Sequence, residues 1–161
     1  ELFINEMLDI GAESITFHYE SSFHTDRLIN LVKRSGAKVG VALNPATSLS
    51  VLDYILPQCD SILLMLINPG FATDKGEKQV SYADKKVKDL SELIRKNNLD
   101  VKIQVDGRVS LETIPKLVSA GADSLVVGST SLFIPGNTIS ENKKLLDISI
   151  SEGLKGGNFN G

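Results

Sequence analysis

Short apolar segments alternate with segments of helical periodicity along this chain. The apolar segments are nearly continuous runs rich in Val, Ile and Leu, which is typical of strands buried on both faces. After each one, apolar residues recur every three to four positions, as on one side of a helix. The predicted strands are residues 14–20, 38–43, 61–67, 101–106 and 123–127, and the predicted helices after them are residues 26–34, 48–56, 82–96, 111–119 and 140–152.

The strict alternation of strands and helices predicts an α/β fold with a parallel sheet covered by helices. Two folds satisfy this prediction, an open doubly wound sheet and a (β/α)8 barrel. Five strand–helix units are enough for the first fold and three units short of the second. The periodicity leaves both folds open.

The two ends of the chain differ in character. We expect one domain over residues 1–152 and a flexible, glycine-rich tail over residues 153–161. At the other end, an apolar stripe of helical period begins at Leu2 with no start Met, signal-peptide pattern or N-cap before it. The sequence therefore starts in the middle of a predicted helix, and we expect further residues upstream of Glu1.

Composition and charge indicate a single core and argue against nucleic acid and membrane as partners. A chain of 161 residues with 42% hydrophobic residues can bury roughly two thirds of its surface, which is ample for one core. The net charge of −3 argues against nucleic acid as a partner, and the longest apolar run, residues 62–67, is too short to span a membrane. The single Cys59 shows no reactive-site signature and favours a reducing, cytoplasmic location.

Candidate chemistry lies where the predicted strands end, because both parallel folds bind ligands in the loops at the carboxyl ends of their strands. All five ends are polar or contain glycine. They are residues 18–20, 44–47, 68–71, 106–108 and 128–131.

Asp106 ends the fourth predicted strand and would be a general base or a metal ligand. The Asp-Gly pair taken alone slightly favours another interpretation, an Asx turn in which Gly107 supplies a positive φ. Gly128 and Ser129 follow the last strand and can present backbone N–H groups and a hydroxyl to an anion. Arg108 would add a fixed positive charge there or simply lie in solvent.

Other polar residues have simpler interpretations. His18 ends the first strand, where a hydrogen-bonded core histidine is favoured over a ligand or an acid–base group. The residue pattern alone assigns Met65 to the core. The cluster of Lys85, Lys86 and Lys88 with neighbouring aspartates predicts a solvated helix face.

Taken together, the strand ends resemble the second half of the ribulose-phosphate 3-epimerase family, which are (β/α)8 barrel enzymes. The resemblance runs from about residue 1 to Phe133. It rests on the ordered segments HYES, VALNPATS, LLMLINPGF, VDGRV with LETIPKLVSAGAD, and VVGSTSLF. It implies a barrel that here lacks its first three strands, and a sugar phosphate as substrate.

The resemblance also implies a reaction. Members of the family interconvert ribulose 5-phosphate and xylulose 5-phosphate by moving a proton at carbon 3. Two aspartates act as acid and base, and a divalent metal such as Zn, Fe, Mn or Co stabilises the enediolate. By this resemblance Asp106 is both a catalytic residue and a metal ligand. The implied substrate- and phosphate-binding residues are Met65, Gly70, Phe71, Ala72, Thr73, Gly107, Arg108, Gly128 and Ser129.

Three departures from the family pattern leave alternatives open. The other metal ligands, a histidine and an aspartate on the second strand and a histidine on the third, would precede residue 1. The family turn GFGGQ reads GFATD, with a longer polar stretch through Gln79, and Arg108 replaces the second glycine after the catalytic aspartate. We therefore retain two alternatives, an epimerase of a hexulose 6-phosphate and a non-catalytic phosphate-binding fragment. An uncovered sheet edge invites association, so a homo-oligomer is expected.

Overall fold

The strands of the protein lie side by side in the order in which they occur along the chain. The structure, a computed structural model, describes residues 1–70 and 76–156. Each strand pairs in parallel with the next. The strands are β1 (Ser14–His18), β2 (Lys38–Leu43), β3 (Ser61–Met65), β4 (Lys102–Asp106) and β5 (Ser124–Leu125).

α-Helices alternate with the strands, except between β2 and β3, where only short 3-10 helices lie. The α-helices are α1 (Leu2–Asp9), α2 (Thr25–Arg34), α3 (Ala83–Lys96), α4 (Ile114–Ser119) and α5 (Ile139–Gly156), and short 3-10 helices lie at Tyr19–Ser21, Leu49–Leu52 and Leu56–Gln58. A doubly wound sheet reverses its strand order at a switch point, whereas a barrel adds each strand next to the previous one. The sequential order therefore favours the barrel, and the parallel α/β prediction is confirmed.

The two faces of the sheet differ in burial. On the helix side, Val41, Ile62 and Ile103 are neighbours in register and almost completely buried. On the opposite face, His18 lies in register with Ala42, and Gln104 lies in register with Ser124. This second face therefore carries polar side chains, as the interior of an incomplete barrel would.

Two predicted elements have different bounds in the structure. The predicted helix over residues 48–56 is instead two 3-10 helices, and Pro57, which cannot donate a backbone hydrogen bond, lies at the start of the second, where no such donor is needed. The predicted tail begins too early, because α5 continues through Gly156. Gly153 allows α5 to pack closely on α4, since a Cβ at this position would lie only 2.8 Å from the Pro115 carbonyl oxygen.

Among the helices of the described ranges, none is long and apolar enough to cross a membrane.

Cys59 is expected to be unreactive while the protein is folded. Its side chain is buried, its Sγ lies 3.3 Å from the Ile55 carbonyl oxygen, and burial raises the pKa of the thiol to about 11. At pH 8 only about one thiol in a thousand would be the reactive thiolate. A colorimetric thiol reagent should therefore label the native protein slowly and the urea-unfolded protein stoichiometrically. Rapid labelling of the native protein would contradict this expectation.

Candidate active site

Asp106 and Met65 lie next to each other at the carboxyl end of the sheet. They are the last residues of β4 and β3 and are partners in the strand register. Both are partly buried. Neighbouring residues in register point to the same side of a parallel sheet, so a carboxylate and a thioether share the polar face. The structure thus brings together two of the site residues that the sequence suggested.

The backbone turns sharply after Asp106. Gly107 has a φ of 114° and Arg108 a φ of 50°, both in the left-handed region that favours glycine. At Gly107 a Cβ would also lie 2.8 Å from Ile67 Cγ1 and 3.0 Å from the Ile67 nitrogen. Only glycine fits there. Arg108 thus adopts a backbone conformation that favours glycine, the residue that the family resemblance implies at this position.

The side chain of Gln79 holds this turn from the loop after β3. Its Nε2 donates to the carbonyl oxygens of Gly107, at 2.9 Å, and Arg108, at 3.0 Å. Sequence reasoning missed this role, because a glutamine in a polar loop carries no periodic or spacing signal. The contact joins residues 28 and 29 positions apart.

The turn after β4 and the loop after β5 form one cleft. Its volume is about 180 Å³, smaller than the roughly 300 Å³ at which pockets for drug-sized ligands begin, and therefore suited to a small polar group. Thr130 Oγ1 joins the two loops by donating to the Val109 carbonyl oxygen at 2.7 Å. The lining includes five of the predicted site residues: Asp106, Gly107, Arg108, Gly128 and Ser129.

The remaining predicted binding residues belong to the loop after β3. Gly70 is exposed, has a φ of 92° and is not part of the cleft lining. Phe71, Ala72 and Thr73 lie outside the described residues, so their predicted role stays a prediction.

A second polar network connects the ends of β1 and β2. The Glu20 carboxylate accepts hydrogen bonds from the Asn44 backbone N–H, at 2.9 Å, and from the Thr47 hydroxyl, and its other oxygen lies 3.4 Å from His18 Nδ1. Burial acts to raise the pKa of Glu20, but these hydrogen bonds outweigh burial and hold the pKa below its ordinary value. Glu20 is therefore a charged anchor at neutral pH, and His18 is partly exposed beside it.

Lys86 completes the network from α3. Its Nζ donates to three backbone carbonyl oxygens, those of Asn44, Pro45 and Thr47, at 2.9, 2.9 and 2.7 Å. Burial lowers the pKa of Lys86, and the nearby Glu20 charge counteracts that effect. One ammonium group thus satisfies the carbonyl oxygens of a turn that has no regular secondary structure.

The prediction of a solvated lysine face is wrong for Lys86 and correct for Lys85. Lys85 is 72% exposed and pairs with Asp89, one turn along the helix. The signal for Lys86 was present in the periodicity, because it lies four residues before the fully buried Leu90 and so at the edge of the apolar stripe. Its positive charge led to the interpretation of Lys86 as a solvated residue.

Comparison with known proteins assigns these features to a family. Residues 1–133 match the ribulose-phosphate 3 epimerase family. The chain belongs to this family. The ribulose-phosphate 3-epimerase of Escherichia coli (strain K12) is 39% identical over 142 residues, covering 88% of this chain and 60% of the relative. That of Methanocaldococcus jannaschii is 43% identical over 129 residues, covering 80% of this chain and 53% of the relative.

The epimerase relatives are longer than this chain, which spans about half of their length. Among solved structures, 3-hexulose-6-phosphate synthase from Salmonella typhimurium has a TM-score of 0.63 at 18% identity and covers 94% of this chain and 68% of its own. That likeness shows the fold alone. The five strands are part of a (β/α)8 barrel, and the family resemblance in the strand ends is confirmed.

The divalent metal that the family resemblance implies is not accommodated by the described residues alone. A protein metal site takes three or more ligands, and Asp106 supplies one carboxylate. Within residues 1–70 and 76–156, no three His, Cys, Asp or Glu side chains cluster closely enough to hold an ion. His18 instead faces Glu20. The donor set therefore does not fit a metal without further ligands.

Proposed function

We propose that this chain forms part of a ribulose-phosphate 3-epimerase that moves a proton at carbon 3 of ribulose 5-phosphate. The observation that carries the proposal is the position of Asp106, beside Met65 and at the rim of the cleft between the β4 turn and the β5 loop. The 39–43% identity to named epimerases supports it.

The cleft supplies the phosphate subsite in this proposal. Backbone N–H groups at the Gly107–Arg108 turn and the Gly128–Ser129 loop are suited to bind phosphate oxygens, and Arg108 adds a positive charge at the lining. Binding the phosphate there fixes the sugar across the carboxyl edge of β3 and β4. The reacting carbon then lies near the carboxylate that ends β4.

Asp106 acts as the base or the acid on one face of the sugar. As a base, its carboxylate oxygen takes the proton from carbon 3, and the electron pair of the broken C–H bond enters the adjacent carbonyl to form an enediolate. Inversion then requires that a different acid return a proton to the other face. We propose that this acid, and the ligands that complete a divalent metal site with Asp106, come from outside the described residues.

Proton exchange separates this proposal from its alternatives. The full-length gene product is incubated with ribulose 5-phosphate in D2O, with Zn, Fe(II), Mn or Co added in turn. NMR then measures both deuterium at carbon 3 and the appearance of xylulose 5-phosphate. We expect both products. Phosphate binding without exchange or epimerisation under any metal would refute the epimerase and support the phosphate-binding alternative.

A hexulose 6-phosphate is the second candidate substrate. Arg108 lies at the cleft lining where the family pattern has glycine, so its side chain changes the space and charge available to the substrate. Comparing kcat/KM for the pentulose and hexulose phosphates in the same exchange assay decides between them. We further propose that the protein is cytoplasmic, because its single cysteine, Cys59, is a free thiol. We also propose that it self-associates, because Leu2, Phe3 and Ile10 expose large apolar surfaces around α1.

A further inference from the structure

Gln79 contacts two peptide groups of the turn after β4, beside the cleft between that turn and the β5 loop. The nitrogen of its carboxamide carries two N–H donors, and it contacts two carbonyl oxygens, those of Gly107 and Arg108, at 2.9 and 3.0 Å. The side chain is partly buried between the loop after β3 and the turn after β4. It is not itself part of the cleft lining.

The geometry of the peptide bond converts these two contacts into an orientation. In a trans peptide the C=O and the following N–H point in opposite directions, and the described chain has no cis peptide bonds. The Gly107 carbonyl shares its peptide group with the Arg108 N–H, and the Arg108 carbonyl shares its group with the Val109 N–H. Drawing both carbonyls towards Gln79 therefore turns both N–H groups away from it.

The turn needs such a support. A left-handed φ is unfavourable for a residue with a side chain, and Arg108 has a φ of 50°. The next carbonyl oxygen of the turn, that of Val109, accepts a hydrogen bond from Thr130 Oγ1 of the β5 loop at 2.7 Å. Gln79 and Thr130 thus fix three successive carbonyl groups of the turn.

We propose that Gln79 is a positioning residue that sets the orientation of the Gly107–Arg108 and Arg108–Val109 peptide groups at the proposed phosphate subsite. The proposal rests on the proposed function, because it takes the cleft to be the phosphate subsite. Gln79 touches neither substrate nor reacting atoms. It acts through the backbone, so its loss weakens phosphate binding more than it slows the proton transfer.

Inorganic phosphate is the probe for the first test. The ¹⁵N-labelled full-length gene product and its Gln79→Leu variant are titrated with phosphate while the amide signals of residues 107–109 are followed. Leucine keeps much of the side-chain volume and removes both donors. We expect at least a tenfold rise in the dissociation constant for phosphate, together with altered signals for residues 107–109 before phosphate is added.

Gln58→Leu is the matched control. The Gln58 carboxamide also bridges two acceptors, Asp26 Oδ1 at 3.0 Å and the Tyr54 carbonyl oxygen at 3.5 Å, but Gln58 precedes β3 and so lies at the end of the strand opposite to the site. We expect phosphate binding within twofold of wild type in this variant. In the full-length product, Gln79→Leu should raise KM for ribulose 5-phosphate while kcat stays within about threefold.

The outcomes separate this inference from the function on which it rests. Equal phosphate binding by wild type and Gln79→Leu, or a loss confined to kcat, would overturn the role of Gln79 and leave the epimerase proposal standing. A wild-type full-length product that binds no phosphate would overturn both the phosphate subsite and this role. A Gln79→Leu variant that binds weakly, with a native melting temperature and unchanged spectra elsewhere, would support the proposal.

Discussion

Replacing Asp106 by Asn is expected to lower kcat/KM for epimerisation by at least about 10³-fold in the full-length gene product, with the fold unchanged. The amide occupies the same volume and cannot take up the proton from carbon 3. Asp106 contributes its backbone to the sheet, since its carbonyl oxygen accepts the Leu66 N–H at 2.7 Å, and this contact survives the substitution. Deuterium exchange at carbon 3 should be lost together with product formation.

Asp100→Asn is the control for this substitution. Asp100 precedes the same strand, at its opposite end, where its side chain is 90% exposed and pairs with Lys102. Activity within twofold of wild type is expected there. Should Asp106→Asn keep more than a tenth of the wild-type kcat/KM, Asp106 would have no place in the proton transfer.

Lys86→Met is expected to cause the largest loss of stability of the substitutions considered. It removes three hydrogen bonds from a charged donor while keeping an unbranched side chain of similar length. Part of the loss is offset because the burial of an ammonium group is avoided. We expect the free energy of unfolding to fall by about 2–3 kcal/mol and the melting temperature by roughly 4–12 °C.

Lys85→Met, one position earlier, is the matched control for Lys86. Lys85 makes one exposed ion pair with Asp89, and such pairs contribute little to stability. Its melting temperature should stay within about 2 °C of wild type in the same calorimetric scan. Similar shifts for the two variants would show that the network at residues 44–47 contributes nothing specific.

Much of the fold followed from local sequence pattern, whereas parts of the site did not. Runs such as residues 38–43 are apolar on both faces, and this predicts a parallel strand wherever the strand lies in the sheet. The choice between an open sheet and a barrel depends on which strands are neighbours, and periodicity does not contain that information. The family resemblance supplied it, and the sequential strand order agrees.

The site shows the same division between local and long-range information. Asp106 was a candidate because it ends an apolar strand, which is a local signal, and the family resemblance then implied its catalytic role. Gln79 and Lys86 were missed because their partners are 28 and 42 residues away, and because polar residues in a loop or on a helix are interpreted as solvated by default. Short spacing rules do not describe such contacts.

The attachment of Lys86 has a consequence for how this protein tolerates change. All three acceptors of its ammonium group are backbone carbonyls, which every amino acid provides. The side chain at position 46, which is exposed, can therefore be exchanged without loss of the anchor, provided that the backbone path is kept. A library of substitutions there would vary the surface at the strand ends. The hydrogen bonds from Lys86 would keep the conformation of the loop at residues 44–47.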